Sequence, residues 1–467
     1  MNAIIKWLIK TVLIGTASLL SLIAAVYVVL LILSLQKSPL NAEVEAFLQP
    51  EPVAVLPERN GFYYWRGLDA PAGEHPLDYG RRSIAKLSGR LPAVADSQAT
   101  SAGQNLRLVH DRKILCHPEN QAPCLVLARQ HAAQVRALAK ENAELMFRYA
   151  ALLRFDQFAT DMPVMNPLDP LLSPMPVLDL HALAQTLDAV DVSEGRASEV
   201  LKRLAARVGF LRRVHANSTD VIDRSFAQVL LVRDLQFLVE VAVRERDSAM
   251  KAAPAYVSVI TAPLTAAERS SLQWIRPEFS KKFAWINPGN PSGWQFSICE
   301  SVLRGNRMEE LVLSGNLEER CGGWDMRMLA FVVAPLLDRN AVINQWFETV
   351  QQLRQIDGLD TFAYLEHLHK VIAAAESRDE GWRLQNPANR WIAKDVVAGS
   401  KSYLIRAIDF DRLFALTRLA VKLTQERIKE SEMAAYVQRS DIRDPATKEP
   451  FGWDAASNQV YFAPLDP

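Results

Sequence analysis

The sequence predicts a mainly α-helical fold: an N-terminal transmembrane helix, a multi-helix body with a small β-containing, aromatic-rich insertion, and a C-terminal β-hairpin. Three observations lead to this prediction. Residues 11–35 contain no charged side chain and are mostly Leu, Ile, Val and Ala. Much of the remaining chain repeats apolar residues at the 3.6-residue period of an amphipathic helix. Residues 251–325 and the residues after 444 depart from this period and are richer in aromatic and turn-forming residues.

The first element is a transmembrane helix over residues 11–35. A helix of about 25 residues crosses a hydrocarbon core of roughly 30 Å with some tilt. Lys6 and Lys10 precede it, and acidic residues follow it, so the positive-inside rule places residues 1–10 in the cytoplasm and the body in the periplasm. A cleavable signal peptide is the alternative, but its apolar region is shorter and ends at a small-x-small site. We therefore expect an uncleaved anchor in the bacterial inner membrane, with the lipid bilayer as its partner.

The anchor is followed by a proline-rich segment and then by the first part of the body. The prolines within residues 36–57 interrupt any continuous helix and predict a stalk that holds the body off the membrane surface. Residues 58–250 form the first helical part. Within it, helical patterns over 193–215 and 219–246 are joined by a short polar link and predict an antiparallel helical hairpin.

Residues 251–325 form a mixed segment that contains aromatic residues and cysteines. The β-branched run from Tyr256 to Ile260 predicts a strand. Exposed tryptophan rings can stack on sugars or on a partner chain, so this segment is also a candidate binding surface. The alternative is a small satellite core stapled by a disulfide. The residues of the candidate surface are Trp274, Trp285, Trp294 and Phe296.

The last part of the chain, residues 326–467, is a second helical part with a β tail. Helical patterns occupy most of it up to residue 438. Two short apolar and aromatic runs, Pro450–Trp453 and Val460–Phe462, then lie on either side of a turn. This arrangement predicts the C-terminal β-hairpin.

The chain has four cysteines, which fall into two local pairs. Cys116 lies close to Cys124, and Cys299 lies close to Cys321. An even number of cysteines on an exported chain predicts two disulfides. Three connectivities are open, and pairing 116 with 124 and 299 with 321 is the simplest. Free thiols and a metal site are the alternatives, but zinc sites favour Cys-x-x-Cys spacing, which neither pair has.

Charge and motifs exclude several classes of function. Lys plus Arg and Asp plus Glu both number 53, so the chain lacks the basic footprint that nucleic-acid binding requires. The nucleophile elbow, the phosphate-binding loop and the His-Glu-x-x-His motif do not occur. Ser83 and Lys86 match the Ser-x-x-Lys of penicillin-binding proteins, but the Lys-Thr/Ser-Gly element of those enzymes is missing downstream. We therefore predict no catalytic residue, no metal site and no cofactor.

Several short stretches spread along the body carry a resemblance. They are Asn60–Tyr63 running to Gly67–Pro71, Leu264–Arg269, Asn340–Asn344, and Asp444–Thr447 with Pro450-Phe451. In these patches the chain resembles a loose set of uncharacterised proteobacterial membrane-anchored proteins. The resemblance implies an envelope location and a helical architecture, and it implies no activity.

The function expected from the sequence is that of an inner-membrane-anchored periplasmic scaffold or interaction component, with other envelope proteins as candidate partners. The absence of a recognisable catalytic constellation and the uncleaved anchor favour this non-enzymatic role. The alternative is a periplasmic enzyme that acts on an envelope polymer or peptide. A ligand-sensing ectodomain is disfavoured because only residues 1–10 would remain in the cytoplasm to carry a signal.

Overall fold

The computed structural model describes residues 2–49, 55–87, 105–108, 111–117, 120, 122–161, 175–244, 254–285, 332–377, 389–463 and 465. These residues are mostly helical and end in a two-stranded antiparallel sheet, which confirms the predicted fold class. The α-helices are α1 (Asn2–Leu33), α2 (Ala42–Leu48), α3 (Gly61–Arg66), α4 (Pro76–Leu87), α5 (Cys124–Glu141), α6 (Ala143–Leu152), α7 (Met175–Ser193), α8 (Ala197–Asn217), α9 (Val221–Arg244), α10 (Pro254–Ile260), α11 (Ala266–Arg269), α12 (Leu272–Trp285), α13 (Arg339–Ile356), α14 (Thr361–Ser377), α15 (Asn389–Gln425) and α16 (Glu430–Arg439). The strands are β1 (Gly452–Asp454) and β2 (Gln459–Tyr461), and short 3-10 helices cover Pro57–Arg59, Arg112–Ile114 and Ala334–Leu336.

Helix α1 is long and apolar enough to cross a membrane from Lys10 to Leu33. Its large apolar side chains are exposed along most of this length: Leu13, Leu20 and Leu22 are 64%, 61% and 63% exposed. A helix in the core of a soluble protein would bury such side chains. This exposure supports a role for α1 as a membrane anchor.

The described part of the proline-rich segment 36–57 is folded onto the body. Val44 of α2 is fully buried in a core that it shares with α12 to α15. The Phe47 ring lies 5.2 Å from the Phe347 ring between centroids, and Arg276 Nε donates to the Phe47 carbonyl at 3.0 Å. The prolines do interrupt the helix, but the apolar side chains of α2 attach this segment to the body.

Three hydrophobic cores meet along helix α15. The first core is built mainly from α3 to α10, the second from α2 and α12 to α15, and the third from α15, α16 and the residues around β1. The 37-residue helix α15 places Phe414 in the first core, Leu404 in the second and Leu419 in the third. Because one rigid helix contributes to all three cores, it ties the two helical parts of the chain together.

Two of the predicted local structures are confirmed. Helices α8 and α9 pack against each other and are joined by the short link after Asn217, as the predicted hairpin required. Arg207 of α8 donates from Nε to the Asp234 carboxylate of α9 at 2.8 Å and fixes their register. At the C-terminus, β1 and β2 pair antiparallel with Trp453 opposite Val460, which is the predicted β-hairpin.

The strand predicted at Tyr256–Ile260 is wrong, because this run lies in helix α10. Val257 and Ile260 are 6% and 0% exposed, whereas Val259 is 52% exposed. Burial at positions i and i+3 is the helical period, and α10 uses these two side chains to pack on α8. Here tertiary packing outweighs the intrinsic β preference of the branched residues. Among the described residues of 251–325 there is no strand.

Helices α3 and α4 pack so closely that glycine is required on both sides of the contact. A Cβ added to Gly80 would lie 1.9 Å from the carbonyl oxygen of Tyr63, and one added to Gly67 would lie 1.9 Å from the carbonyl oxygen of Pro76. These separations are far below any van der Waals contact. The pair of glycines therefore lets the buried aromatic helix α3 lie against α4.

Candidate functional site

The cysteines predicted to pair fall partly within the described residues. Cys116 and Cys124 are within disulfide-bonding distance, with their Cα atoms 5.1 Å apart. Cys124 begins α5, so the pair ties the segment before this helix to its first residue. Cys299 and Cys321 lie outside the described residues, and their pairing stays a prediction.

The candidate aromatic surface is also only partly described. Trp274 is 4% exposed and belongs to the second core, with its ring centroid 6.0 Å from that of Tyr403. It therefore packs as the satellite-core alternative expected and does not present an exposed ring. The backbone of Trp285 lies at the end of α12, but its side chain, like Trp294 and Phe296, lies outside what the structure describes.

A cavity of about 180 Å³ lies where α11, α14, α15 and the loop after α16 meet. This volume far exceeds the roughly 10–15 Å³ that one water molecule needs, so the cavity has room for a small anionic group. Five of its ten lining residues carry a charge in their ordinary state at neutral pH. The lining residues are Pro263, Arg269, Asp360, Thr361, Asp411, Phe414, Ala415, Arg418, Pro445 and Lys448.

Two arginines of this cavity lack a carboxylate partner. Within the described part of the chain, the Arg418 guanidinium makes neither a hydrogen bond nor an ion pair, and the Arg269 guanidinium donates only to the Leu264 carbonyl. The Nε atoms of both side chains are buried without a hydrogen-bond partner. Burial lowers the pKa of Arg418, and the charges of Asp411 and Asp441 offset this only in part. The cavity thus contains two guanidinium groups that no described carboxylate contacts directly.

Two fully buried arginines of the body have carboxylate partners, which the half-buried cavity arginines lack. Arg207 contacts the Asp234 carboxylate at 2.8 Å, and Arg412 contacts the Asp444 carboxylate at 2.7 Å. Arg269 and Arg418 are only half-buried, and neither contacts a carboxylate among the described residues. Arg224 is buried without a carboxylate contact and donates to the Glu268 carbonyl at 2.9 Å, so Arg269 and Arg418 are distinguished by their place at the cavity.

The remaining charges of the cavity are already engaged. Lys448 lies 3.4 Å from the Asp360 carboxylate. Asp360 also accepts from the Ala363 N–H at the start of α14, and this hydrogen bond is the main reason why its pKa lies below the ordinary value. The buried Asp411 accepts a hydrogen bond from the Thr361 hydroxyl. The cavity thus contains two guanidinium groups without a carboxylate contact, beside two carboxylates that already have hydrogen-bond or ion-pair partners.

The local sequence explains how Arg269 is positioned. Thr265 and Glu268 form a reciprocal capping box at the start of α11, which places Arg269 at the end of this helix. The Arg212 guanidinium bonds both Glu268 carboxylate oxygens and the Pro263 carbonyl, the latter at 2.9 Å. Arg212 of α8 therefore holds residues 263–268 in place, and this segment lies next to Arg269 at the cavity.

A second, smaller cavity lies directly beside the first. Its volume of about 20 Å³ holds about one water molecule, and Arg269 lines both cavities. Tyr364 lines it too, and burial raises the pKa of this phenol to about 12. Asp357 accepts from the Ser270 hydroxyl at 2.8 Å. The Arg269 side chain thus lines both the smaller and the larger cavity.

The sequence-based predictions did not include this site. Arg269, Asp360, Arg418 and Lys448 come from four separate segments, and no spacing between them repeats a known motif. The one signal was indirect, since the stretches 264–269 and 444–451 that carry the resemblance both reach this cavity. Among the described residues, no group of three His, Cys, Asp or Glu side chains could hold a metal ion.

Comparison with known proteins assigns no class to this chain. No protein-family model, no curated protein and no solved structure matches it. The features of the described residues that bear on function are helix α1, which exposes its apolar surface, and the arginine-lined cavity.

Proposed function

We propose that this protein is a single-pass component of the bacterial inner membrane whose periplasmic body acts as a scaffold or interaction module. Helix α1 supports the anchor, and the lysines that precede it favour a cytoplasmic N-terminus. The proximity of Cys116 and Cys124 fits the oxidising periplasm, where disulfides persist. The lipid bilayer and other envelope proteins are the partners in this proposal.

The observation that supports the interaction role is that one cavity is lined by two arginines, Arg269 and Arg418, whose guanidinium groups contact no carboxylate of the described chain. A guanidinium presents a planar fork of N–H donors that matches a carboxylate or phosphate. An anionic group of a partner would supply the charge that the cavity lacks. The proposed binding site therefore takes a carboxylate or phosphate group at this place.

The test is stabilisation of the full chain in detergent by inorganic phosphate and by acetate, each against chloride at equal ionic strength. A ligand at ten times its dissociation constant stabilises the folded state by about 1.4 kcal/mol. We expect a raised unfolding midpoint in the wild type and no such rise in R269Q or R418Q. The variant R439Q, which removes an exposed arginine of α16, is the matched control and should respond like the wild type.

Two results would contradict the binding proposal. The first is a wild-type midpoint that neither anion raises above its value in chloride. The second is an R418Q protein that responds as strongly as R439Q.

Orientation is tested separately with a C-terminal reporter that is active only in the periplasm, and a silent fusion to a stably expressed chain would overturn the proposed topology.

A second candidate function is that of a periplasmic enzyme acting on an envelope polymer or peptide. The observation in its favour is that the Asp360 and Asp411 carboxylates line the same cavity as the two guanidinium groups. Convergent polar groups of this kind are the usual setting for general acid–base chemistry. Hydrolysis of peptidoglycan fragments by the purified chain, lost in D411N and retained in D441N, would favour this candidate, and absence of turnover would count against it.

A further inference from the structure

The body touches helix α1 inside the stretch that is long enough to span a membrane. The Tyr27 hydroxyl donates to the Val332 carbonyl at 3.0 Å. Tyr27 lies six residues before Leu33, so this contact is about 9 Å along the helix axis from the end of the span. A segment of the body, residues 332–337, therefore lies beside the last turns of α1. We call this segment the juxtamembrane turn.

The juxtamembrane turn is apolar throughout. It belongs to an uncharged run, residues 328–337, with the sequence Met-Leu-Ala-Phe-Val-Val-Ala-Pro-Leu-Leu. A run of about ten apolar residues is too short to span a bilayer but is typical of a core or interfacial segment. Val333 and Leu337 are buried in the second core, whereas Val332 is 41% exposed. The turn is thus anchored to the body on one side and presents apolar surface on the other.

Polar groups of the turn are satisfied by residues of α1 and its exit. Lys37 Nζ donates to the carbonyls of Pro335 and Leu337, at 3.2 Å and 2.7 Å. Together with Tyr27, it supplies hydrogen bonds to three carbonyls of this short segment. Backbone polar groups at membrane depth are tolerated only where they find hydrogen-bond partners in the protein. The juxtamembrane turn meets this requirement at three of its carbonyls.

A polar boundary lies immediately beyond the turn. Ser38 N–H donates to the Asp338 carboxylate at 2.7 Å, and Asp338 also caps the start of α13 through the Ala341 N–H. Lys37 and Asp338 thus stand side by side where the chain leaves α1 and where the body begins. Charged residues at this level mark the height at which headgroups and water would replace lipid tails.

We infer that the juxtamembrane turn inserts into the outer leaflet beside α1, so that lipid covers its exposed apolar surface. This inference rests on the proposed membrane anchorage, because it extends the lipid-facing surface of α1 to a neighbouring part of the body. Its consequence is mechanical. The body is then attached to the bilayer at two adjacent points and has a fixed orientation, instead of being held off the membrane surface by a stalk.

The inference is tested by spin labelling in lipid nanodiscs, with the full chain carrying one added cysteine. The variants are Val332→Cys in the turn, Leu22→Cys in α1 and Val229→Cys in α9. Val229 is the matched control because it is a valine of similar exposure, 44% against 41% at Val332, within the helical body. Wild-type protein labelled in parallel reports any reaction of native thiols.

The readout is the difference between label collisions with oxygen, which concentrates in lipid, and with a water-soluble nickel complex. We expect position 332 to favour oxygen, as position 22 does, and position 229 to favour nickel. If position 332 matches 229 while position 22 favours oxygen, the anchor stands and the inserted turn is refuted. If position 22 itself favours nickel, the proposed membrane anchorage is refuted, and the inferred insertion of the juxtamembrane turn is refuted as well.

Discussion

The ion pair between Arg412 and Asp444 is the most informative target for mutation, because it attaches the C-terminal tail, residues 444–463, to helix α15. Arg412 is 1% exposed at its side chain and Asp444 is 5% exposed. Arg412 donates from Nε to both Asp444 oxygens at 3.0 Å and from Nη2 to the Ala463 carbonyl at 2.7 Å. The same tail carries Pro445 and Lys448 to the arginine-lined cavity.

The change Asp444→Asn removes the charge that balances a buried guanidinium while keeping the shape of the side chain. Breaking a buried ion pair costs about 3–5 kcal/mol. Since Arg412 keeps its contact with Asp409, at 3.0 Å, we take the lower end, about 3 kcal/mol. The matched control is Asp409→Asn, which removes a 41%-exposed partner of the same arginine and should cost at most about 1 kcal/mol.

The assay is hydrogen exchange of the full chain in detergent, followed by mass spectrometry of peptides from residues 444–463. A loss of about 3 kcal/mol in the local opening free energy accelerates exchange roughly 160-fold. The D409N protein should exchange less than about tenfold faster than the wild type. Equal exchange rates in D444N and D409N would refute the reasoning, because they would mean that burial does not distinguish the two carboxylates.

Three further predictions follow from local features. Burial raises the pKa of Glu268, but hydrogen bonds from Arg212 and from the capping box outweigh this and leave the pKa below its usual value. The ionised Glu268 carboxylate therefore contributes its full stability above about pH 4.3, and this contribution is lost as the pH falls through the lower folded-state pKa. When the unfolding midpoint is measured against pH in the acid range, it should fall more steeply in the wild type than in E268Q. Gly80→Ala should destabilise the body by several kcal/mol because its Cβ meets the Tyr63 carbonyl, whereas Gly209→Ala, where the nearest atom is 3.6 Å away, should not. Mass spectrometry after alkylation should find no free thiol before reduction and four after it, and four free thiols without reductant would refute both predicted disulfides.

The elements that sequence reasoning predicted are those determined by local pattern. The apolar run of α1 and the hairpin of α8 and α9 follow from composition and period alone, and the neighbouring structure does not alter them. The strand predicted at Tyr256–Ile260 failed because β-branched residues tolerate a helix when two of them, at i and i+3, can be buried against α8. Local preference was too weak there to decide the outcome.

The arginine-lined cavity could not be predicted from local sequence patterns, because its residues are distant in sequence. Arg269 ends a four-residue helix, and Arg418 lies on the long helix α15. Their convergence depends on how α14 and the C-terminal tail pack around α15. Nor does the sequence reveal that these two arginines lack carboxylate partners while Arg412 has one, because pairing is decided by tertiary contacts. The same limit applies to the juxtamembrane turn, whose contact with Tyr27 joins residues 305 positions apart.

Recovery of partners from solubilised membranes, compared between the wild type, R418Q and R439Q, tests the central claim most directly. The account predicts a stoichiometric partner that copurifies with the wild type and R439Q and is lost from R418Q. A wild-type chain that returns no stoichiometric partner, or an R418Q chain that retains it fully, would contradict an interaction module built on the arginine cavity.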